Sequence, residues 1–447
     1  MNKNDFAPQC FCVLWGVSVK EKRGTNMKRY QIAGMLCLLF SLLLCACSAP
    51  PELVTGESSV TGESESEVAE ISLTSVTPFL GADDTVSSKG GFYELTPNPQ
   101  NGSNIVYTDY AAKATIYLCS RPECQHSDET CPSWFPSSTG YVFLDAKNEH
   151  LFCVGSANSE QGQTEVIWKM DANGENREKL YTCSPSENLI DMVVSDGSSL
   201  YFATGIVDSE TWNLKKTLKQ INIESGKAVD LMTYQDAEWL FGAFEDELLV
   251  LFFDGKSFRY DAYSPETKNS RTLLTYDGNA LSRPWGDSIY LVQPLTDSTA
   301  EVLKFNMKTR EKVSLCKDVP YFGGDTAMIE DIVDGRIVMY ASDTRENDPE
   351  KIKRYHYAID CATGEMTDLP LTYPTQEATD FVKIVADAGE FFVVNSGMEM
   401  VKAVLNGPDG APYETEISTS VYSMISKSDY WSGQPNYIEI DNSAIAG

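Results

Sequence analysis

Histidine, basic charge and long apolar runs are scarce in this chain. Three histidines occur in 447 residues, and 35 Lys+Arg stand against 65 Asp+Glu for a formal net charge of −30. Nucleic-acid binding is excluded, because no cationic surface of the required size can be assembled on such a background. No Gly-x-Ser-x-Gly elbow, phosphate-cradling Gly-rich loop or His-Glu-x-x-His pair occurs, so the common hydrolase, nucleotide and zinc-peptidase signatures are missing. Sustained helical periodicity is absent as well. With 42% hydrophobic and 11% aromatic residues the chain has enough apolar material for a sizeable core.

The one extended apolar stretch is Ile32 to Leu44, preceded by Met27-Lys28-Arg29 and followed by Cys45-Ala46-Cys47. It is shorter than the roughly 20 residues that span a bilayer. A basic start, a short apolar run and a small residue before the cut are instead the parts of an export signal. Leu44, Ala46 and Cys47 resemble the bacterial lipobox, in which the cysteine is acylated and becomes the new N-terminus. On this reading residues 1–26 precede the true start at Met27, residues 27–46 are a lipoprotein signal peptide, and Cys47 is the lipidation site. Removing residues 1–46 takes away six bases and two acids, which deepens the charge from −30 to −34. Such a surface is repelled by anionic head groups, so the lipid must hold the chain on the extracytoplasmic face of the cell membrane. Residues 47–89 are the anchor and an acidic Ser/Gly/Glu-rich tether, with a tandem Val-Thr-Gly-Glu-Ser at 54–58 and 60–64. That composition cannot order itself by burial.

From Gly90 to Gly447 short apolar and aromatic stretches alternate with Gly, Asp, Asn and Ser turns, the pattern of an all-β domain. One hairpin type recurs: a polar residue, then turn formers ending in Gly, Lys or Arg, then a short strand. Its end positions are Lys113, Gly174, Gly226, Lys268, Arg310, Gly364 and Gly410, spaced 42 to 61 residues apart. A second turn series interleaves with it, at Asn148, Asp196, Asp246, Gly286, Asp334 and Gly389. Spacing near 40–50 residues with four strands per unit is that of a β-propeller blade. Residues 90–447 therefore read as a β-propeller of seven blades, with six or eight as the neighbouring counts and a pair of smaller β domains as the competing architecture. The C-terminal stretches Val421–Ile425 and Tyr437–Ile440 are expected to complete the first blade and close the ring.

With the lipobox, the tether, the seven units, the tail Tyr422-Ser-Met-Ile-Ser-Lys-Ser-Asp429-Tyr430-Trp431 and the stretch Tyr117-Leu118-Cys119-Ser-Arg-Pro-Glu-Cys124-Gln-His126, the chain resembles propeller lipoproteins of unknown function from anaerobic Gram-positive bacteria. The resemblance implies the fold and the location, and it supplies no catalytic residue.

Beyond the anchor, Cys119, Cys124, Cys131, Cys153, Cys183, Cys316 and Cys361 remain in the mature form. An odd number leaves at least one unpaired. Cys183 and Cys316 end equivalent strands and are expected as small buried hydrophobes. Cys119, Cys124, His126 and Cys131 are different, because three thiols and an imidazole within thirteen residues form a ligand set for a structural Zn site. A disulfide among the three and simple free thiols are the competing states. His356 is expected on a strand surface. Propellers bind ligands at the channel mouth, where loops enter the innermost strands. On the unit boundaries above these loops carry Trp239, Arg283, Trp285, Tyr321, Phe322 and Asp380, whose aromatic rings suit a glycan or peptide ligand and whose Arg283 suits an anion. The expected function is a lipid-anchored ligand- or protein-binding module with no catalytic residue assigned. A glycan-active hydrolase or lyase working through channel carboxylates and a scaffold subunit of a membrane complex are the other readings.

Overall fold

The computed structural model describes residues 72–77 and 85–445, apart from 99–101, 138–139, 160–161, 208–213, 235–236, 279, 324–325, 346–350, 376–377 and 407–411. The apolar signal stretch, Cys47, most of the tether and the turn ending at Gly410 lie outside the described residues. Among those described, no helix is long and apolar enough to cross a membrane.

Seven four-stranded antiparallel meanders follow one another along the chain. Blade 1 consists of Thr85–Ser87, Gly91–Pro97, Ser103–Asp109 and Ala114–Tyr117. The first strands of the six later blades are Gly140–Leu144, Glu187–Ser195, Glu238–Phe244, Leu281–Trp285, Ala327–Val333 and Lys383–Ala388. Each first strand lies innermost and later strands step outward. Because the strands alternate in direction, the first–second and third–fourth turns of every blade share one end of the ring. The second–third turns and the links between blades share the other. These are called here the turn end and the link end.

Seven clusters of buried side chains hold the ring together, one between each pair of adjacent blades. Between blades 4 and 5, for example, Phe241, Phe244 and Tyr260 pack against Ile289, Leu291 and Phe305. This is the expected consequence of two-sided strands whose both faces are apolar: each blade buries one face on each neighbour. The cluster between blades 7 and 1 contains five buried residues, Phe92, Ala386, Val393, Met424 and Ile440, where the other six contain ten or more. It is the seam where the ring closes.

Closure differs from the expectation in one respect. Val421–Ile425 belongs to the third strand of blade 7 (Pro412–Ser426), and Ile438–Glu439 is that blade's own fourth strand. Blade 1 draws all four strands from its own segment, since Thr85–Ser87 supplies the innermost one. The C-terminal residues fasten the seam instead. Asp441 makes a parallel bridge to Ala114, with its amide donating to the Lys113 carbonyl (2.8 Å) and its carbonyl accepting from the Thr115 amide (2.9 Å). The Tyr422 hydroxyl donates across the seam to Glu94 Oε1 (2.8 Å).

Five of the third–fourth turns at the turn end share one device. Lys113, Gly226, Lys268, Arg310 and Gly364 donate their amides to the carbonyls of Asp109, Asn222, Ser264, Asn306 and Asp360, at 2.8–2.9 Å. In each case the side chain of that first residue also accepts an amide one position before the last. All five closing residues have φ between 55° and 74°. The third and fourth turns begin at Asn222 and Ser264.

Candidate functional site

The six residues expected at a channel mouth do not converge there. Strand direction places Trp285 at the turn end, beside Gly286, whereas Tyr321 and Phe322 lie in the link between blades 5 and 6. Arg283 is buried, with its guanidinium donating to the carbonyls of Ile329 and Glu330 (3.0 Å each) on the first strand of blade 6. Trp239 is covered by the fully buried Lys216 ammonium, 3.3 Å from its ring centre, and Lys216 also donates to the Glu238 carbonyl. Tyr321 is buried in the cluster between blades 5 and 6, and Phe322 stacks on Tyr355 at 5.4 Å. Asp380 caps the Phe381 amide within a small hairpin, Thr372–Pro374 with Thr379–Phe381. Aromatic and basic residues at blade boundaries serve here mainly to join blades.

The channel holds something that no residue pattern announces. Thr74–Ser75 adds as a fifth strand to the inner edge of blade 3, pairing antiparallel with Val194 and Ser195. The Leu73 amide donates to Glu245 in the first turn of blade 4, and the Val76 amide to the Val193 carbonyl (2.9 Å). The Val193 amide donates in turn to Thr77 Oγ1 (2.7 Å), which is buried. Glu245 sits at the turn end and Val193 lies deeper, so the segment enters from the turn end and runs inward.

A buried ionic group between blades 6 and 7 is a second feature the sequence conceals. Glu330 accepts from His356 Nε2 (2.9 Å) and pairs with Lys383 Nζ (3.2 Å). Burial alone would push the Glu330 carboxyl above its ordinary range, but the Lys383 and His356 charges outweigh it and hold the carboxyl down at about 2. His356 is only 5% exposed and carries Phe381 against its ring, contrary to the surface position its alternation suggests. Register explains this: it faces the first strand of the same blade across the fold of the meander, not solvent. Inner-strand carboxylates are committed in the same way. Asp331 lies 3.8 Å from Arg283, Glu238 lies 3.6 Å from Arg259, and Glu187 accepts from Ser184 and Tyr181.

Cys119, Cys124, His126 and Cys131 come together. Their ligand atoms all lie within 4.8 Å of one another. None of the seven described cysteines is bonded to another. The group occupies an insertion in the outer strand of blade 1, between Ala114–Tyr117 and Trp134–Phe135, both of which pair with Ser103–Asp109. His126 has φ 53°, and its carbonyl accepts from Asn98 Nδ2 and Asn104 Nδ2 (2.9 Å each). Its ring stacks on Tyr117 at 4.2 Å. Burial alone would raise Cys124, yet the His126 amide, the neighbouring thiols and Arg121 bring it below its ordinary value. Cys131, fully buried, is pushed up to about 12 by burial and by the thiols beside it. Of the two other expectations for cysteine, Cys183 is buried at 2% exposure and Cys316 is only half-buried.

No family model matches this chain, and no curated protein does. Similar solved structures include an oligogalacturonate lyase in complex with manganese, at 12% identity and TM-score 0.44 over 71% of this chain and 83% of that one. A prolyl endopeptidase is similar at 10% identity and TM-score 0.47, over 80% of this chain and 55% of that one. An acylaminoacyl peptidase of Pyrococcus horikoshii is similar at 10% identity and TM-score 0.46, over 79% of this chain and 51% of that one. This chain thus spans about half the length of the two peptidases. At these identities the likenesses say nothing about activity, and the propeller assignment rests on the strand topology itself.

Proposed function

We propose that the chain is a lipid-anchored, extracytoplasmic binding module that turns its turn end toward the membrane and offers its link end to a glycan, peptide or protein ligand. The observation that carries this reading is the path of Leu73–Thr77, which enters the channel from the turn end and hydrogen-bonds to the inner edge of blade 3. A chain leaving the ring there toward an acylated Cys47 has roughly 25 residues to cover, or about 25–30 Å as a coil. A tether that leaves from the turn end favours that end as the one facing the bilayer.

The link end also presents the most prominent outward feature. The second and third strands of blade 7, Phe391–Asn406 and Pro412–Ser426, contain 16 and 15 residues, where no other described strand exceeds 10. The ribbon runs past the ring and exposes Met400 (46%) and Tyr413 (49%). The inner-strand carboxylates Glu330 and Glu187 are held below their ordinary range by the groups paired with them, which favours binding over channel acid–base catalysis, because a general acid must hold a proton near neutral pH. The scaffold reading needs a continuous apolar side, whereas the exposed Ile116, Val229, Val313 and Met366 stand on four different blades.

The test is a glycan and peptide array probed with the mature chain, together with cell fractionation. Met400→Glu combined with Tyr413→Ala should abolish saturable binding while Trp285→Ala leaves it, and Cys47→Ser should release the protein from the membrane fraction. Turnover of a glycan without saturable binding, or binding lost only with Trp285→Ala, would overturn the reading.

A further inference from the structure

We infer that Cys119, Cys124, His126 and Cys131 bind one zinc ion in a closed, structural site. A tetrahedral ion with zinc–sulfur bonds of about 2.3 Å and a zinc–nitrogen bond of about 2.0 Å needs its ligands roughly 3.5–3.8 Å apart. The four ligand atoms here fall within 4.8 Å of one another, and one of the edges, His126 Nδ1 to Cys131 Sγ, is 3.3 Å. Closing on an ion requires adjustments of an ångström or less.

The surroundings are built to hold that arrangement. His126 occupies the left-handed region at φ 53°, a conformation unfavourable for a residue with a Cβ. Two buried asparagine amides grip its carbonyl, one from each side of the turn between the second and third strands of blade 1. Asn104 Nδ2 also reaches Ser133 Oγ (3.1 Å), which ties the far end of the insertion to the same clamp. The insertion is otherwise held by turns, with Cys124 and Cys131 donating their amides to the Arg121 and Asp128 carbonyls.

Charge points the same way. Three thiolates, one neutral imidazole and a zinc ion sum to −1, and in a chain of net charge −30 two arginines flank this group. Arg121 donates to the Thr130 carbonyl beside Cys131, and Arg177, from the third–fourth turn of blade 2, donates to the Trp134 carbonyl and lies over the Phe135 ring. A three-thiolate, one-imidazole set suits zinc, and with all four positions filled from the protein no place is left for substrate. Zinc therefore fixes the insertion as a rigid knob on the side of the ring, docked against blade 2 through Arg177.

The experiment is elemental analysis of the full-length chain purified in thiol reductant with zinc, iron and copper available during expression. Near one zinc per chain is expected, falling to less than about a tenth of that in Cys124→Ser and in Cys119→Ser, and unchanged in Cys316→Ser. Since a ligand variant can lose the fold along with the ion, wild-type protein is also stripped with chelator, checked for its sheet signal by circular dichroism, and reloaded with cobalt. Sulfur-to-cobalt charge-transfer bands that zinc displaces support the site. Folded, reduced protein without metal, iron or copper in place of zinc, zinc retained in Cys124→Ser, or a disulfide between any two of Cys119, Cys124 and Cys131 would overturn it.

Discussion

The two ends of the ring are made on different principles. At the turn end, five third–fourth turns share one geometry, down to the side chain that caps them and the left-handed residue that closes them. Two lysines at equivalent places, Lys169 and Lys304, reach from the third strand of one blade to the next blade's turn, at the carbonyls of Ile223 (3.2 Å) and Cys361 (3.4 Å). Toward the link end the described features differ from blade to blade. The link from blade 6 to blade 7 holds an extra hairpin next to the buried group of Glu330, His356 and Lys383, which lie on the strands of those two blades; blade 7 carries the long ribbon, and the cysteine insertion interrupts the outer strand of blade 1. A tight reversal admits few solutions and so is repeated, whereas a loop that crosses between blades is free to vary and gathers the individual features.

That contrast can be broken most directly at Glu330. Glu330→Gln leaves the buried His356 and the partly exposed Lys383 without their shared anion, and the expected loss is about 3 kcal/mol, the low end for a broken buried pair because Lys383 retains some water. Chemical denaturation at pH 7 measures it. The dependence on pH has a definite sign. The folded carboxyl, at about 2, lies below its ordinary 4.5, so its stabilisation is complete above pH 4.5 and drains away as pH falls toward 2. The gap between wild type and Glu330→Gln should therefore narrow through that window. A constant gap would remove the ionic account.

The channel strand gives the next largest effect. Thr77→Val keeps the shape of the side chain but removes the hydroxyl oxygen that accepts the Val193 amide, leaving a buried donor unsatisfied at a cost of about 2 kcal/mol. Amide hydrogen exchange should quicken at Val193 and at Val76 while the turn-end amides of blade 6 keep their protection. Uniform quickening across the ring would mean that Leu73–Thr77 is integral to the whole fold instead of an added edge.

The same contrast decides what was legible in the sequence. The turn end was readable because its chemistry is local. A polar residue that accepts an amide and a Gly, Lys or Arg in the left-handed region sit four residues apart, so their recurrence marks the blades without knowledge of any long-range contact. The cysteine insertion was readable for the same reason, its four candidate ligands falling within thirteen residues. What failed depends on neighbours far along the chain. Arg283 was read as an anion contact, but its partners are the Ile329 and Glu330 carbonyls of the next blade. His356 alternates like a surface residue, yet Glu330 lies 26 residues away and Lys383 on another blade. The C-terminal strand was assigned to blade 1 because the first unit is short at its N-terminal end and strand-like stretches are left over at the end of the chain, and nothing local distinguishes an added strand from a bridge at Asp441. Thr74–Ser75 was hidden most completely, as a two-residue strand in an acidic, serine-rich stretch has no pattern of its own.

Capping at the turn end sharpens the comparison further. Asp360→Ala removes the acceptor of the Ala362 and Thr363 amides and of the Thr363 hydroxyl, and about 1 kcal/mol is expected by analogy with helix caps. Asn306→Ala and Asn222→Ala remove the corresponding bonds in blades 5 and 3, and their losses should agree with that of Asp360→Ala to about 0.5 kcal/mol, the additivity error for separate sites. Denaturant midpoints measured side by side check this, and a spread of several kcal/mol would show that the turns are alike in geometry only.

The smallest effect has the opposite sign. Lys268 closes its turn at φ 58°, a conformation that costs a residue with a Cβ about 1–2 kcal/mol relative to glycine. Lys268→Gly relieves that strain but raises the entropy of the unfolded chain, worth about 0.5–1 kcal/mol in return, so the net stabilisation should be about 0.5 kcal/mol. The equivalent Arg310→Gly should gain less, because Arg310 Nη2 also donates to the Thr272 carbonyl of blade 4 (2.9 Å) and glycine forfeits that link. The order Lys268→Gly above wild type, with Arg310→Gly between or below, separates the backbone geometry shared by the five turns from the contacts particular to one. If both variants lose stability, the left-handed residue is set by its side chain after all, and the turn end is less uniform than its hydrogen bonds make it.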